Sequence, residues 1–404
     1  MRPASCLRAA WPMALTVLAA DGARRVLSPR PPPPRPVAAP LAQHFSAEEI
    51  ARGRAYARPQ LRLALARSAL EAATLAALVR HPPRLLERSR SRPLLGGALV
   101  GAGLSAALAL EALPLRALAR RRARAVGLDT QSWRGWVADL AKAAALGQAF
   151  AAAAGAAAVA AARRWPRGWW LAGAGGSVLF GAALTAAAPV LLDPIFNDFR
   201  ALPAGQTRSD VLELARAAGV RVREVYSVDA SRRTTAANAY VTGIGPSRRV
   251  VLFDTLLDGF DRDEIRLVVA HELAHVRHRD VLRSVAFAAA VAPAAALAVQ
   301  RLSWAMSPER GTPAALPAVA LAAGLVGAPV GVIGAALSRA VERRADQFAL
   351  RLAGAPDAFV AFERAIALRN VADLDPPRWV TTLLASHPPT AERIGAALAF
   401  KEAA

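Results

Sequence analysis

Two patterns of apolar positions alternate along this chain. From residue 61 to 192, and again from 284 to 337, apolar residues run in stretches of about twenty, the length that crosses a hydrocarbon core of roughly 30 Å. Spans are expected near 61–80, 94–113, 136–162, 168–192, 284–302 and 313–337. The first carries Arg62, Arg67 and Glu71. Ionisable side chains inside a span face a bundle interior or a water-filled cavity, and a soluble helix with an alanine-rich face fits this stretch as well. The apolar run from Trp11 to Ala20 is too short to be taken as a span.

Between residues 200 and 283 the pattern breaks into short pieces. Asp210–Gly219 reads as a helix, and Arg221–Asp229, Asn238–Gly243 and Arg248–Asp254 read as strands. Gly245-Pro246-Ser247 is a turn signal between the last two. Asp261 followed by Glu264 and the apolar Ile265, Leu267, Val268 and Val269 predicts a capped helix start. Residues 338–404 again read as helices outside the bilayer, and Pro31–Pro36 reads as an extended linker. The expected fold is mainly α: a multi-span helical membrane protein with a small α/β domain carrying a short sheet. Its parts are an N-terminal segment at 1–43, about four spans in 44–200, a polar domain from 201–283 and 338–404, and a two-span hairpin at 284–337.

Composition supports lipid contact: 54% of residues are hydrophobic and mean hydropathy is +0.28. The formal charge is +21, nearly all arginine, since lysine stands only at Lys142 and Lys401. The arginines fall between apolar stretches, as basic loops facing anionic headgroups would, and no basic recognition helix stands out, so nucleic acid is not an expected partner. Two basic loops, 81–93 with Arg84, Arg88, Arg90 and Arg92, and 114–135 with Arg116, Arg120, Arg121, Arg122 and Arg124, flank one span, so charge alone leaves the orientation open. Cys6 is the only cysteine, which excludes an intrachain disulfide and a thiolate metal site.

Any metal site must therefore use histidine and carboxylate, and there are only six histidines. His271 and His275 are four apart with Glu272 between them, so on a helix both imidazoles share one face and can grip one zinc ion. A pair of exposed or capping histidines is the plainer alternative. A third ligand is available at Glu342, and Asp346, one turn on, can accept the other N–H of a ligating histidine. Without the histidines upstream, the same stretch would read as a solvated face of Glu–Arg pairs. Val281 stands where a third histidine of the longer zinc motif would fall, which disfavours that class.

Several ordered stretches resemble the type I CAAX prenyl proteases and their bacterial relatives, integral-membrane zinc metallopeptidases. They are Phe45–Ile50, Pro194–Asn197, Asn238-Ala239-Tyr240, Val250–Leu257, His271–His275, Ser338–Asp346 and Ser386–Ile394. The resemblance implies a metalloendopeptidase with one Zn²⁺ per chain, held by His271, His275 and Glu342, with Glu272 as general base. It implies that Asn238, Ala239 and Tyr240 pair with the substrate backbone, and that His387 and Arg393 stand near the substrate carbonyl. From sequence alone His387 reads as a turn residue before two prolines and Arg393 as a surface arginine. His278 and Asp280 fall where the family often has polar residues. The implied partners are a peptide or membrane-protein substrate and the lipid bilayer. The implied location is the cell membrane, multi-pass, with the catalytic domain facing the cytoplasm. The proline-rich segment departs from the family pattern.

Overall fold

The computed structural model describes residues 3–31, 33–84, 86, 91–243, 245 and 248–403. Pro32, Arg88, Arg90, Pro246 and Ser247 of the expected linker, basic loop and turn lie outside the described residues. Helices α1 (Pro3–Leu27), α2 (Ala47–Arg80), α3 (Pro93–Glu111), α4 (Trp133–Arg164) and α5 (Trp169–Leu191) precede the sheet. Strand β1 (Phe199–Ala201), helix α6 (Gln206–Ala217), and strands β2 (Glu224–Val228), β3 (Ala239–Thr242) and β4 (Arg249–Phe253) follow. The chain then forms α7 (Arg262–Arg277), α8 (Asp280–Met306), α9 (Leu316–Ala353), α10 (Pro356–Arg369) and α11 (Thr390–Ala403), with short helices between.

Among the described residues five helices are long and apolar enough to cross a membrane: α3, α4, α5, α8 and the stretch Pro313–Ala353 that contains α9. The expected span at 61–80 is helical, within α2, but is not one of the five. Its ionisable residues lower the hydropathy, and Arg67 pairs with Glu71 one turn on. The N-terminal run, not read as a span, lies in a 25-residue helix packed along α8 and α9, with Thr16 and Ala20 fully buried. Arg283 at the start of α8 donates to Leu27 O at the end of α1.

The sheet has the order β1-β2-β4-β3, with β2 and β4 parallel and the outer pairs antiparallel. Strand β3 is therefore an edge. Its β1 counterpart at the other edge is only three residues long and has no readable period in the sequence. Val225, Val250 and Leu252 of the sheet pack against Val211 and Leu214 of α6 and Val269 and Leu273 of α7, burying one core. Asp261 caps α7: its carboxylate accepts from Glu264 N at 2.9 Å, and its own N–H donates to Glu264 at 2.9 Å.

Helix α9 does not break at the membrane boundary expected near residue 337. Its 38 residues span roughly 57 Å at 1.5 Å per residue, so one rigid element runs from the apolar stretch into the polar domain. Phe45, at the start of α2, is buried against Leu374 and Ile394, which joins the first membrane region to the C-terminal helices. The proline-rich linker crosses α11, where Val37 N donates to Gly395 O at 3.2 Å. A Cβ at Gly395 would overlap Val37 O, so only glycine permits that approach.

Candidate metal centre

Helix α7 presents His271 and His275 from consecutive turns, and α9 brings Glu342 to them. The two Nε2 atoms are 3.2 Å apart, and Glu342 Oε2 lies 3.1 Å from His271 Nε2. Glu342 Oε1 is 3.7 Å from His275 Nε2. Donors about 2.0–2.1 Å from a tetrahedral ion lie roughly 3.3 Å from one another. These three side chains form the group with metal-ligand spacing among the described residues.

The outer ring nitrogens explain why both Nε2 atoms face inward. His271 Nδ1 lies 2.9 Å from Asp346 Oδ1, and His275 Nδ1 lies 3.1 Å from Asp280 Oδ2. A carboxylate at Nδ1 places the ring proton there and leaves the Nε2 lone pair for an ion. Two imidazole lone pairs at that separation repel each other unless a proton or a cation stands between them. The residues thus fit a metal ion on their own geometry.

Asp280 is fixed by Arg283 at 3.2 Å and by Arg344. His278 does not join the cluster: its Nδ1 is 2.8 Å from Ala274 O, at the end of α7. Glu272 is half-buried, and the loss of hydration pushes its carboxyl above the ordinary value. His387 reaches in from the segment before α11, with Nε2 3.4 Å from Glu342 Oε2 and a side chain still 62% exposed. Ser386 Oγ lies 2.9 Å from its Nδ1.

Arg393, expected near the substrate carbonyl, contacts two buried carboxylates. Its Nε and Nη2 lie 2.9 and 2.5 Å from the two Asp346 oxygens, and its Nη1 lies 2.6 Å from Glu363 Oε1. Asp346, one of these carboxylates, also lies 2.9 Å from His271 Nδ1. Glu363 was not singled out in the sequence. It sits on the apolar stripe of α10 with Phe359, Phe362 and Ala367, and an ionisable residue on such a stripe is the signal that marks it. Burial, against the pull of Arg393, pushes its carboxyl above the ordinary value.

A cavity of about 860 Å³ opens beside the cluster. Its walls include Glu272 and His275, Tyr240 and Thr242 of the edge strand, and Ala186 and Pro189 of α5. Asn238 is exposed just before β3, Ala239 is buried against the sheet, and Tyr240 faces the cavity.

Residues 201–401 match the family model described as peptidase family M48, and residues 32–198 match one described as the CAAX prenyl protease N-terminal region with five membrane helices. A metalloprotease of Bacillus subtilis (strain 168), YhfN, described as uncharacterized, is 30% identical over 300 residues, covering 72% of this chain and 70% of that protein. The chain belongs to peptidase family M48. A second relative, CAAX prenyl protease 1 of Saccharomyces cerevisiae, is 37% identical over 100 residues, which span 24% of this chain and only 22% of that protein. The crystal structure of S. mikatae Ste24p covers 98% of this chain and 99% of its own, with a TM-score of 0.78. At 19% identity that likeness speaks to the fold, which the two share along nearly the whole chain. The chain is thus a multi-pass membrane metallopeptidase with a peptide substrate.

Proposed function

We propose that this chain is a zinc endopeptidase, with one ion per chain, that cuts membrane proteins or peptides at the bilayer surface. One observation carries the reading: two imidazole Nε2 atoms 3.2 Å apart, closed by a carboxylate at 3.1 Å, with His275 in the wall of a cavity shared with a membrane helix. His271, His275 and Glu342 would hold the ion. Two neutral imidazoles and one carboxylate suit zinc and leave a fourth position open. A zinc ion so held supplies Lewis acidity and lowers the pKa of a bound water to about 7.

The chain's own groups do the rest. Glu272 takes a proton from the attacking water and returns it to the leaving amine, and its raised carboxyl suits both transfers. His387 donates to the oxygen that gains negative charge. The free edge of β3, led by Asn238, Ala239 and Tyr240, pairs with the substrate backbone, as an added strand does. Asp346 orients His271, and Arg393 holds Asp346. Pro189 and Ala186 of α5 line the same cavity, so a substrate emerging from the bilayer reaches the site without leaving the protein surface.

Contacts of one basic segment bear on the orientation. The loop after the basic helix Leu113–Ala125 touches the polar domain, through an Asp129–Thr234 bridge and a 3.0 Å bond from Thr235 Oγ1 to Gly127 O. The polar domain shares its side of the bilayer with that basic helix, which supports a cytoplasmic catalytic domain in the cell membrane.

The test is Glu272→Gln in the full-length protein in nanodiscs. Metal content should stay at one zinc per chain while peptide cleavage falls by about 10²–10⁴-fold. Cleavage at wild-type rate by the purified variant would sink the assignment.

A further inference from the structure

The least explained group near the centre is Glu363. It is 2% exposed and shares its helix face with Phe359 and Phe362. A buried carboxylate there must be stripped of water, a cost an apolar residue would not carry. Its ion-pair partner among the described residues is Arg393 Nη1, at 2.6 Å. Arg393 already faces Asp346, which by itself balances the guanidinium charge. Charge neutrality therefore does not account for a second acid.

Geometry does. A guanidinium is a rigid planar fork whose orientation is set by which edge each acceptor takes. Asp346 takes the Nε–Nη2 edge through two hydrogen bonds, and Glu363 Oε1 stands 2.6 Å from Nη1 as an ion pair, so the guanidinium is held from two sides. The Phe359 ring, 5.7 Å from the guanidinium carbon, closes the same site. Glu342, the expected ligand, also attracts Arg393 through space. Without Glu363 the free Nη1 edge would turn toward the remaining carboxylates, drawing Asp346 off His271 or competing with the ion for Glu342.

We infer that Glu363 is a positioning residue of the metal centre, acting through Arg393 and Asp346 on His271. The inference rests on the ligand set proposed above. Glu363 touches neither ion nor substrate. Its effect passes along one chain of side chains, from α10 to α11 to α9 to α7. The same contact fixes the first turn of α11, and with it the segment that carries His387.

The experiment compares wild type with Glu363→Leu and Glu363→Gln as full-length protein in nanodiscs. Three quantities are read: zinc affinity by competition with a chromogenic chelator, the split of kcat and KM, and the thermal midpoint of the metal-free protein. Glu363→Leu should weaken zinc binding by about 10–100-fold, the range seen when partners of metal ligands are removed. It should lower kcat with KM unchanged, and leave the metal-free midpoint equal or higher. Glu363→Gln, which keeps the shape and one acceptor, should fall between the two. Zinc affinity and kcat of Glu363→Leu within twofold of wild type would overturn the inference. If Glu363→Leu does not fold, Glu363→Gln decides by the same threshold. Glu272→Gln in parallel separates the two readings: its loss of cleavage beside an unchanged Glu363→Leu removes the positioning role alone.

Discussion

The membrane helices and the catalytic unit bury opposite things. Leu99, Leu110 and Leu179 on α3 and α5 are 63%, 64% and 72% exposed, turned outward to lipid. In the catalytic unit Leu214, Leu252, Leu267 and Leu273 are inside, and so are Asp210, Glu342, Asp346 and Glu363. Lipid tails are as apolar as leucine, so the spans gain little from burying leucine against each other and associate through close backbone approach. The pair α3–α4 does this at Gly97, Gly101 and Gly155. The catalytic unit, in water, has an apolar core to fold around and can carry buried charge at its centre. One region is held by shape and the other by a core with a charged network inside it, and different substitutions should break each.

The largest effect is expected at the centre of the charged network. Glu342→Ala removes one of three donors and leaves His271 facing His275 with nothing between. Zinc affinity should fall by well over 100-fold, beyond the loss typical of a residue that merely supports a ligand. Cleavage should vanish, while α3, α4 and α5 keep their protection from hydrogen exchange. Elemental analysis of the purified variant checks this. A full complement of tightly held zinc would show that the two imidazoles bind with a different third partner.

What was legible follows the same division. The spans show themselves by composition alone, because lipid demands apolar side chains in every turn. The exception is α2, where Arg62, Arg67 and Glu71 sit in a helix long enough to cross but too polar to count. Helix α1 escapes for a different reason: its apolar run is short, and its burial comes from neighbours distant in sequence. In the catalytic unit, His271, Glu272 and His275 are legible because one helix carries all three at fixed spacing. Glu342 and Asp346 show as a pair one turn apart. Arg393 and Glu363 do not, since what they touch depends on how α9, α10 and α11 pack. Spacing within a helix is written in the sequence; which helix faces which is not.

An intermediate effect is expected in the membrane. Gly101→Leu would push a side chain into Ala151 O and Gly155 of α4. Overpacking of this kind costs about 1–3 kcal/mol. The thermal midpoint should drop and detergent sensitivity rise, with zinc content unchanged in the folded fraction. A variant as stable as wild type would mean that the two helices are held by something other than close approach.

The smallest effect, and the sharpest test of where charge matters, is at Asp210. Its carboxylate is buried on α6 and accepts from Arg262 of α7 at 2.6 and 2.8 Å, and from Gln206 at 2.9 Å. The Arg262 hydrogen bonds, against opposing burial, hold its pKa down at about 2, from an ordinary 3.8. A depressed carboxyl contributes stability that is fully present above its unfolded value and lost as pH falls through the folded one. The contribution should therefore disappear between pH 3.8 and about pH 2. Asp210→Asn should lower the neutral-pH stability by on the order of 2 kcal/mol and flatten the acid limb of thermal midpoint against pH. Hydrogen exchange locates the loss: protection of α6 and α7 should fall in acid for wild type while α3 and α4 keep theirs. If the spans lose protection together with α6 and α7, the two regions unfold as one unit and the contrast between them is structural only, without thermodynamic independence.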